Sequence, residues 1–455
     1  HTGEKKISKG LTDWEEIKNN SAKRSFFNAR LAELNRDELT CEYSQFMANI
    51  LRAGADTATK IVPREKGWFE DEKEVLTPKI AEKNALLKQL RSNDNQTAES
   101  LEQLRGKLKE AKDNISDAVA IAKANWHRKQ AHLVHQMCQF PRQAWAASKL
   151  IIAGDSCHHN KPVEMKMRME GGSLAKNDNQ NAAVFSKHFH GVYNATRGRH
   201  ANAAQFFAQR ETSAELDHDI TWKEFEAGIR KLRSGKAPGV TGVAPDALKC
   251  LTGKNKQQIF TYIVNFWEDK ADYWEWHTGL GVLVPKKGDL SDPNKWHGIN
   301  LMDVVSKLFS CIMNGRLFKL LDKHGIKTQF GATPNVGCQD GSFTLKTLLH
   351  LRHQHNLPTF IAFVDLVKAY DTTNHGLLIE ILRRYGAPPK ICSAIERMYL
   401  DLLVIIKIGK EKAEIPQTIG VRQGDNLSPV LFILLMSTFA ETLENEWNES
   451  GIEKA

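Results

Sequence analysis

Phe360-Ile-Ala-Phe-Val-Asp-Leu-Val-Lys-Ala-Tyr-Asp371 is an apolar run that delivers one carboxylate, Asp365, where a strand should stop. The run Phe360 to Val364 has the length and composition of a buried strand. A strand ending in a carboxylate holds it rigidly at a sheet edge, within reach of a hard cation. Mg²⁺ prefers one or two carboxylates together with phosphate oxygens and water. In two-metal phosphoryl transfer, ions about 4 Å apart stabilise the attacking and leaving oxygens. One aspartate cannot hold both ions, so further carboxylates have to converge from elsewhere. Taken alone, Asp365 serves equally as a plain strand end, with Asp371 or Thr373 capping the next helix.

A second stretch, Gly420-Val-Arg-Gln-Gly-Asp-Asn-Leu-Ser-Pro-Val-Leu-Phe432, shifts that balance. It reads as a loop feeding a buried helix, with Ser428 at the N-cap and Pro429 at the first helical position. A helix N-terminus beside a glycine allows close backbone approach and favours phosphate. Capping accounts for Ser428 and Pro429 but leaves Arg422-Gln423-Gly424 unexplained.

Outward from these stretches the chain divides into four segments. Residues 1–70 are polar and partly helical around Trp14–Leu34. Residues 71–153 form a helical hairpin. Ile80, Leu86, Leu87 and Leu90 mark one apolar face. A turn-rich stretch, 91–97, leads to Leu101, Leu104, Leu108, Ala111, Ile115, Ala118, Ala122 and Trp126 at helical spacing. Residues 154–219 are a loop and connector containing a helix over Ala182–Tyr193.

Residues 220–455 interleave helices, strands and turns. A helix is expected from Trp222 to Leu232 behind the N-cap Thr221, and a strand from Leu280 to Val284. Leu308, Ile312 and Leu317 share a helical face, and His375 to Tyr385 forms a helix. Leu403–Ile408 and Ile415–Val421 pair as a hairpin around Gly409–Lys412. The expected class is α+β, with a largely antiparallel sheet and helices, preceded by a mainly α-helical region.

Composition sets wider bounds. The 455 residues suggest about three domains, and 41% hydrophobic content is enough for ordinary cores. The longest apolar run, Val430 to Met436, is far shorter than the roughly 20 residues of a membrane span, so no membrane partner is expected. The net charge of +9 is compatible with nucleic acid and equally with a mildly basic protein. Seven scattered cysteines without a CxxC argue for a reduced intracellular compartment. Cys157-His158-His159 is the one cluster of metal-ligand types, and adjacent residues do not converge easily on one ion. The chain opens on His1 rather than Met, so an excerpt of a longer protein is expected.

FVDLVKAYD and GVRQGDNLSPVLF resemble motifs A and B of reverse transcriptases, in the form found in non-LTR (LINE-type) retrotransposons. Other pieces agree in order. Gly235-Lys-Ala-Pro-Gly239 through Asp246 is similar to the opening motif of that domain. Val282 to Asp289 and Asn294 to Leu301 are similar to its fingers strands. Gln329-Phe-Gly through Asp340 resembles the segment before the palm, and Gly67-Trp-Phe-Glu-Asp71 and Phe185 to His190 look like the preceding linker. The likeness is tight from about 220 to 440.

The resemblance implies a right-hand polymerase, here its fingers and partial palm, that extends a DNA 3′-OH along an RNA template with two Mg²⁺ ions. Its implied partners are template RNA, a DNA primer or nicked target DNA, and deoxynucleoside triphosphates. The implied locations are a cytoplasmic ribonucleoprotein and the nucleus. Asp365 would be a catalytic, metal-binding aspartate, with the backbone carbonyl of Leu366 facing an ion. Tyr370 would lie under the incoming sugar and exclude a 2′-hydroxyl. Gln423 and Gly424 would contact the nucleotide and template base, and Lys286 or Lys287 would face the triphosphate, although either also suits a solvated turn.

Two departures stand out. His297 occupies a place where the family usually carries an arginine that contacts the triphosphate, and histidine cannot make the same bidentate contact. No Tyr/Phe-x-Asp-Asp follows Phe432. The chain as given is therefore expected to be inactive, lacking two of three catalytic carboxylates. The alternative is a truncated or decayed copy with at most RNA-binding activity.

Overall fold

The computed structural model describes residues 12–35, 41–58, 67–91, 98–136, 165–195, 208–326, 328–366 and 368–451. Asp13 accepts from the Glu16 N–H and Asn20 from the Lys23 N–H, so short polar side chains start α1 (Trp14–Asn19) and α2 (Ser21–Leu34). The next helix, α3 (Tyr43–Thr57), buries Phe46, Met47, Ile50 and Ala53 on one stripe. Residues Ile61–Glu164 form one unit, and His1–Lys60 together with Met165–Ala455 form another. This division differs from the four segments drawn from sequence, because α1–α3 pack into the same core as the α+β region.

The smaller unit holds α4 (Gly67–Asp71), α5 (Lys73–Arg91) and α6 (Ala98–Gln136). Leu76 on α5 and Leu108, Ala111 and Ala122 on α6 are buried, and the two helices pack together as the apolar spacing expects. Most of the turn between them, and Cys157-His158-His159, lie outside the described residues.

In the larger unit, α7 (Asp178–Tyr193) precedes α8 (Trp222–Lys231), α9 (Pro245–Cys250), α10 (Gly253–Trp267) and α11 (Trp274–His277). Then come β1 (Thr278–Pro285), β2 (Trp296–Leu301), α12 (Val304–His324), α13 (Cys338–Gln354), α14 (His375–Arg384) and α15 (Pro389–Met398). The hairpin β3 (Leu402–Ile408) and β4 (Glu411–Gln417) and the helix α16 (Leu427–Glu449) follow.

The sheet order is β2-β1-β3-β4. Its outer pairs are antiparallel, and β1 runs parallel to β3. That parallel pair needs the long helical crossover between the two strands. The hairpin turn is tighter than expected: Ile408 pairs with Glu411, leaving only Gly409-Lys410 outside, with Gly409 at φ +58°. Phe185, Phe189 and Tyr193 of α7 cover one sheet face, against Trp296, Val404, Ile406 and Ile415.

Two polar networks hold the helices in register. Asp303, fully buried at the N-cap of α12, accepts from the Val305 and Ser306 N–H groups, from Tyr43 Oη at 2.5 Å and from Thr241 Oγ1 at 2.8 Å. Burial pushes this carboxyl above its ordinary value, against the pull of those donors. The contact from Tyr43 ties α3 into the larger unit. Arg316, 1% exposed, forks onto Glu224 at 2.9 and 3.0 Å and also donates to the carbonyls of Leu216 and His218. Glu224 completes a capping box with Thr221, so one carboxylate both starts α8 and anchors α12.

Three sequence expectations are corrected. Phe360 to Val364 forms no strand, and Phe360, Phe363 and Val364 are 96%, 85% and 75% exposed. A lone extended segment is not stable without a neighbour to take its backbone hydrogen bonds, and no described strand lies beside it. The preceding helix α13 likewise has no buried residue. Second, α16 begins at Leu427, with Asn426 at its N-cap. The Asp425 carboxylate already accepts the Leu427 N–H, and Ser428 Oγ donates instead to the Arg422 carbonyl, so Ser428 and Pro429 fall inside the first turn. Third, Asn374, rather than Asp371 or Thr373, caps α14. Among the described residues α16 is the one helix long and apolar enough to cross a membrane. Its buried residues Leu427, Val430, Leu431 and Leu434 account for that composition by packing in the core.

Burial by itself raises the Glu224 carboxyl, but the Arg316 fork and the Thr221 donors outweigh it and hold the group below its ordinary value. A depressed carboxyl stabilises the fold above its unfolded pKa, and this contribution is lost as pH falls through the folded value. Arg316→Met should therefore cost about 2–3 kcal/mol at neutral pH, the scale of lost charge-assisted hydrogen bonds. In urea unfolding measured across acid pH, the wild type should lose stability as Glu224 protonates, and the variant should lack that component.

Candidate active site

The stretch Gly420–Pro429 is shaped from within by a buried ion pair. Arg422 Nη2 lies 3.0 Å from Asp425 Oδ2, and the two side chains are 2% and 0% exposed. Arg422 also donates to the Trp276 carbonyl at 2.9 Å and lies over the Tyr399 ring. Gln423 and Gly424 are the two residues between these charges, so closing the pair pushes them out as a tip. Gly424 sits at φ +96°, where an L side chain is strained, and a Cβ there would meet the Asn300 carbonyl at 3.0 Å.

The 3₁₀ turn Tyr370–Thr372 is strapped to the start of this stretch. Gly420 N–H donates to the Thr373 carbonyl at 2.7 Å and Val421 N–H to the Tyr370 carbonyl at 2.8 Å. Gly420 has φ +87°, and a Cβ there would meet the Asp371 carbonyl at 2.9 Å, so glycine permits the approach. The Tyr370 ring stacks on Phe432 of α16, with centroids 5.0 Å apart and planes 18° apart. Its rotamer is thus fixed by the helix that the Gly420–Pro429 loop starts. Burial raises its hydroxyl above the ordinary tyrosine value.

Two cavities open onto these residues. The larger, about 840 Å³, lies between the loop after α8, strand β2 and the Gly420–Pro429 stretch; Tyr370, Gln423, Gly424 and His297 line it. Its charged lining is basic, from Lys231, Arg233, Lys236 and Lys307, apart from Asp425, which is already paired to Arg422. The smaller cavity, about 280 Å³, is lined by Lys286, His297, Lys368, Tyr370, Asp371 and Gln423, with His188 and Tyr193 of α7 as further walls. Burial, then the charge of Lys368, holds the His188 imidazole below its ordinary value. Burial pushes the Asp371 carboxyl up, while the Gln423 amide, Lys368, His297 and Lys286 pull it back.

The structure thus brings Tyr370, Gln423, Gly424, Lys286 and His297 to one place. It does not bring Lys287, Asp365 or Leu366 there: all three are exposed and line neither cavity. The strand expected to carry Asp365 does not form. Sequence reading missed Asp371, Lys368 and His188. Asp371 was readable only as a helix cap, and nothing in the spacing of α7 signalled that it would wall a cavity.

No group of three or more His, Cys, Asp or Glu side chains among the described residues could hold a metal ion. Asp365 offers one carboxylate, so the donor set for a divalent metal centre is not assembled by these residues.

Residues 284–453 match the family described as reverse transcriptase (RNA-dependent DNA polymerase). The chain is 25% identical over 238 residues to the Pol polyprotein of the Drosophila melanogaster retrotransposable element R2DM, covering 51% of this chain and 22% of that protein. It is 24% identical over 225 residues to an uncharacterized 149 kDa protein of transposon TX1 from Xenopus laevis, covering 49% and 17%. With a probable RNA-directed DNA polymerase from the D. melanogaster transposon BS it shares 24% identity over 294 residues, covering 59% and 30%. Over residues 284–453 the chain is thus similar to the reverse transcriptases of non-LTR retrotransposons, a family that works with divalent metal ions, nucleic-acid template and primer, and nucleotides. It spans less than a third of the length of each of these relatives.

Removing one member of the Arg422–Asp425 pair leaves the other charge buried and uncompensated. Asp425→Ala should cost about 3–5 kcal/mol in denaturant unfolding.

Proposed function

We propose that this chain supplies the fingers and part of the palm of an RNA-directed DNA polymerase, which extends a DNA 3′-OH along an RNA template. The observation that carries this reading is the larger cavity: an apolar and aromatic interior with a basic rim, at the junction of the Tyr370 turn and the Gln423-Gly424 tip. Its volume falls within the range of small-ligand sites. Flat bases suit its apolar walls, and phosphates suit the lysines and arginine at its edge.

Within that reading each residue has a physical task. The Tyr370 ring, held by its stack on Phe432, blocks the space beside a sugar C2′ and so admits a 2′-deoxynucleotide in preference to a ribonucleotide. Gly424 lets backbone come close to a base. Lys286 and His297 face the triphosphate, His297 as a weaker contact than the arginine expected there. Asp365 and the Leu366 carbonyl would contribute to holding divalent ions, which would supply charge stabilisation for phosphoryl transfer together with carboxylates beyond those described. The partners are template RNA, a DNA primer or nicked target DNA, and deoxynucleoside triphosphates. The compartments are a cytoplasmic ribonucleoprotein and the nucleus, in keeping with five described cysteines that are all free.

The test uses the full chain on an RNA template annealed to a DNA primer in magnesium buffer, with capture of complementary nucleotide read by a gel-shift assay. A complex stabilised by the complementary deoxynucleotide over the three mismatched ones is expected. Tyr370→Ala should bring ribonucleotide binding closer to deoxynucleotide binding by about tenfold, the scale on which a pocket excludes one small group. Binding of heteroduplex that ignores which nucleotide is present would overturn the reading.

A further inference from the structure

Glu275 of α11 is 3% exposed, and the hydroxyl of Ser44, in the first turn of α3, donates to it. Tyr43 donates to Asp303, so two consecutive residues of α3 each hold one carboxyl. The two carboxyls are unequally provided for. Asp303 takes hydrogen bonds from Tyr43, from Thr241 and from the Val305 and Ser306 N–H groups. Among the described side chains only Ser44 hydrogen-bonds to Glu275. An ionised carboxylate has about four lone-pair sites to fill, so ionised Asp303 is satisfied where ionised Glu275 is not.

The charges around Glu275 do not make up the difference. Burial raises its carboxyl above the ordinary value, the Ser44 hydroxyl and its own N–H pull it back, and Asp303 and Glu42 push it up again. The neighbouring cations are engaged elsewhere. His277 lies 2.6 Å from Asp272, and Arg422, which donates to the Trp276 carbonyl, is paired with Asp425. Tyr43 and Tyr273, whose rings pack beside Trp276, have hydroxyls raised by burial and stay protonated.

We propose that Glu275 is a proton-operated latch between α3 and the wall of the site. With its proton it accepts from Ser44 and turns no charge toward Asp303. When the proton passes to solvent, the carboxylate lacks donors and repels Asp303 and Glu42, which loosens the first turn of α3. The effect reaches the site wall by two routes. Asp303 starts α12 just after β2, and Trp276, the residue after Glu275, gives its carbonyl to Arg422. None of this depends on what the cavities bind. A carboxyl raised by folding stabilises the fold fully below its unfolded pKa, and that contribution is lost as pH rises toward the folded value. The sign is the reverse of that at Glu224.

The full chain is compared with Glu275→Gln, which copies the shape of the protonated carboxyl and cannot ionise. Urea unfolding is followed by tryptophan emission at a series of pH values, with hydrogen exchange of residues 43–50 measured at the same points. At the acid end the two chains should share one midpoint. As pH rises the wild type should fall behind, by up to about tenfold in the folding equilibrium per pH unit, the limit for one proton. Glu224 is common to both chains and cancels. Residues 43–50 should then exchange faster in the wild type than in the variant, while α14 and α15 exchange alike in both. Ser44→Ala should cost more at neutral than at acid pH, since only the ionised carboxyl depends on that donor, and it tests the latch without the Gln variant. Equal midpoints for wild type and Glu275→Gln at every pH would overturn the inference. So would a Ser44→Ala cost that ignores pH, or an exchange difference spread evenly over the chain.

Discussion

The Arg422–Asp425 ion pair is the constraint on which the site depends. Taking two charges out of water is expensive, and such a pair is retained only when its geometry is good and its remaining hydrogen bonds are met. Here Arg422 also reaches the Trp276 carbonyl, and Asp425 takes the Leu427 N–H that would otherwise be an orphan at the start of α16. One interaction therefore fixes three things. It closes the loop, starts the helix, and expels Gln423 and Gly424 toward the cavity. The helix then carries Phe432, whose ring holds Tyr370. The two motifs, separated in sequence by two helices and a hairpin, are coupled through this single loop.

A second constraint acts on the opposite wall. Strand β2 supplies His297 and Asn300 to the larger cavity, and Asp303 follows two residues after its end. That carboxylate is held by Tyr43 of α3 and by Thr241 from the loop after α8. Ser44, next to Tyr43, donates to the buried Glu275. The N-terminal helices are thus tied by buried polar contacts to the turn that aims β2 at the cavity. Their role is structural support of the site wall. This explains why their contacts place them with residues 165–455 rather than with the long hairpin that follows them in sequence.

Much of this was legible in the chain. The helix over Trp222–Lys231 announced itself by Thr221, because a cap is local chemistry, whereas the helix over His375–Arg384 was expected with a cap at Asp371 or Thr373 and has it at Asn374. The apolar faces of α5 and α6 were legible for the same reason: period 3.6 is a property of one helix. The Tyr370–Gln423 neighbourhood came instead from the resemblance of two motifs to a known family. What failed was non-local. Whether Phe360–Val364 becomes a strand depends on a neighbour, and its own residues cannot specify one. Asp371 was invisible as a site residue because its partner, Gln423, lies fifty-two positions away.

The exposed apolar run and the incomplete donor set express one requirement. Phe360, Phe363 and Val364 face solvent, and the carboxylate that follows them stands apart from the cavities. Any strand that paired with 360–364 would satisfy their backbone, cover their side chains and fix Asp365 in place at the same time. Residues 357–366 contain no carboxylate besides Asp365. The lining of the two cavities has no such dependence. Tyr370, Asp371 and Gln423 are held by contacts within residues 370–432, without the segment 360–364.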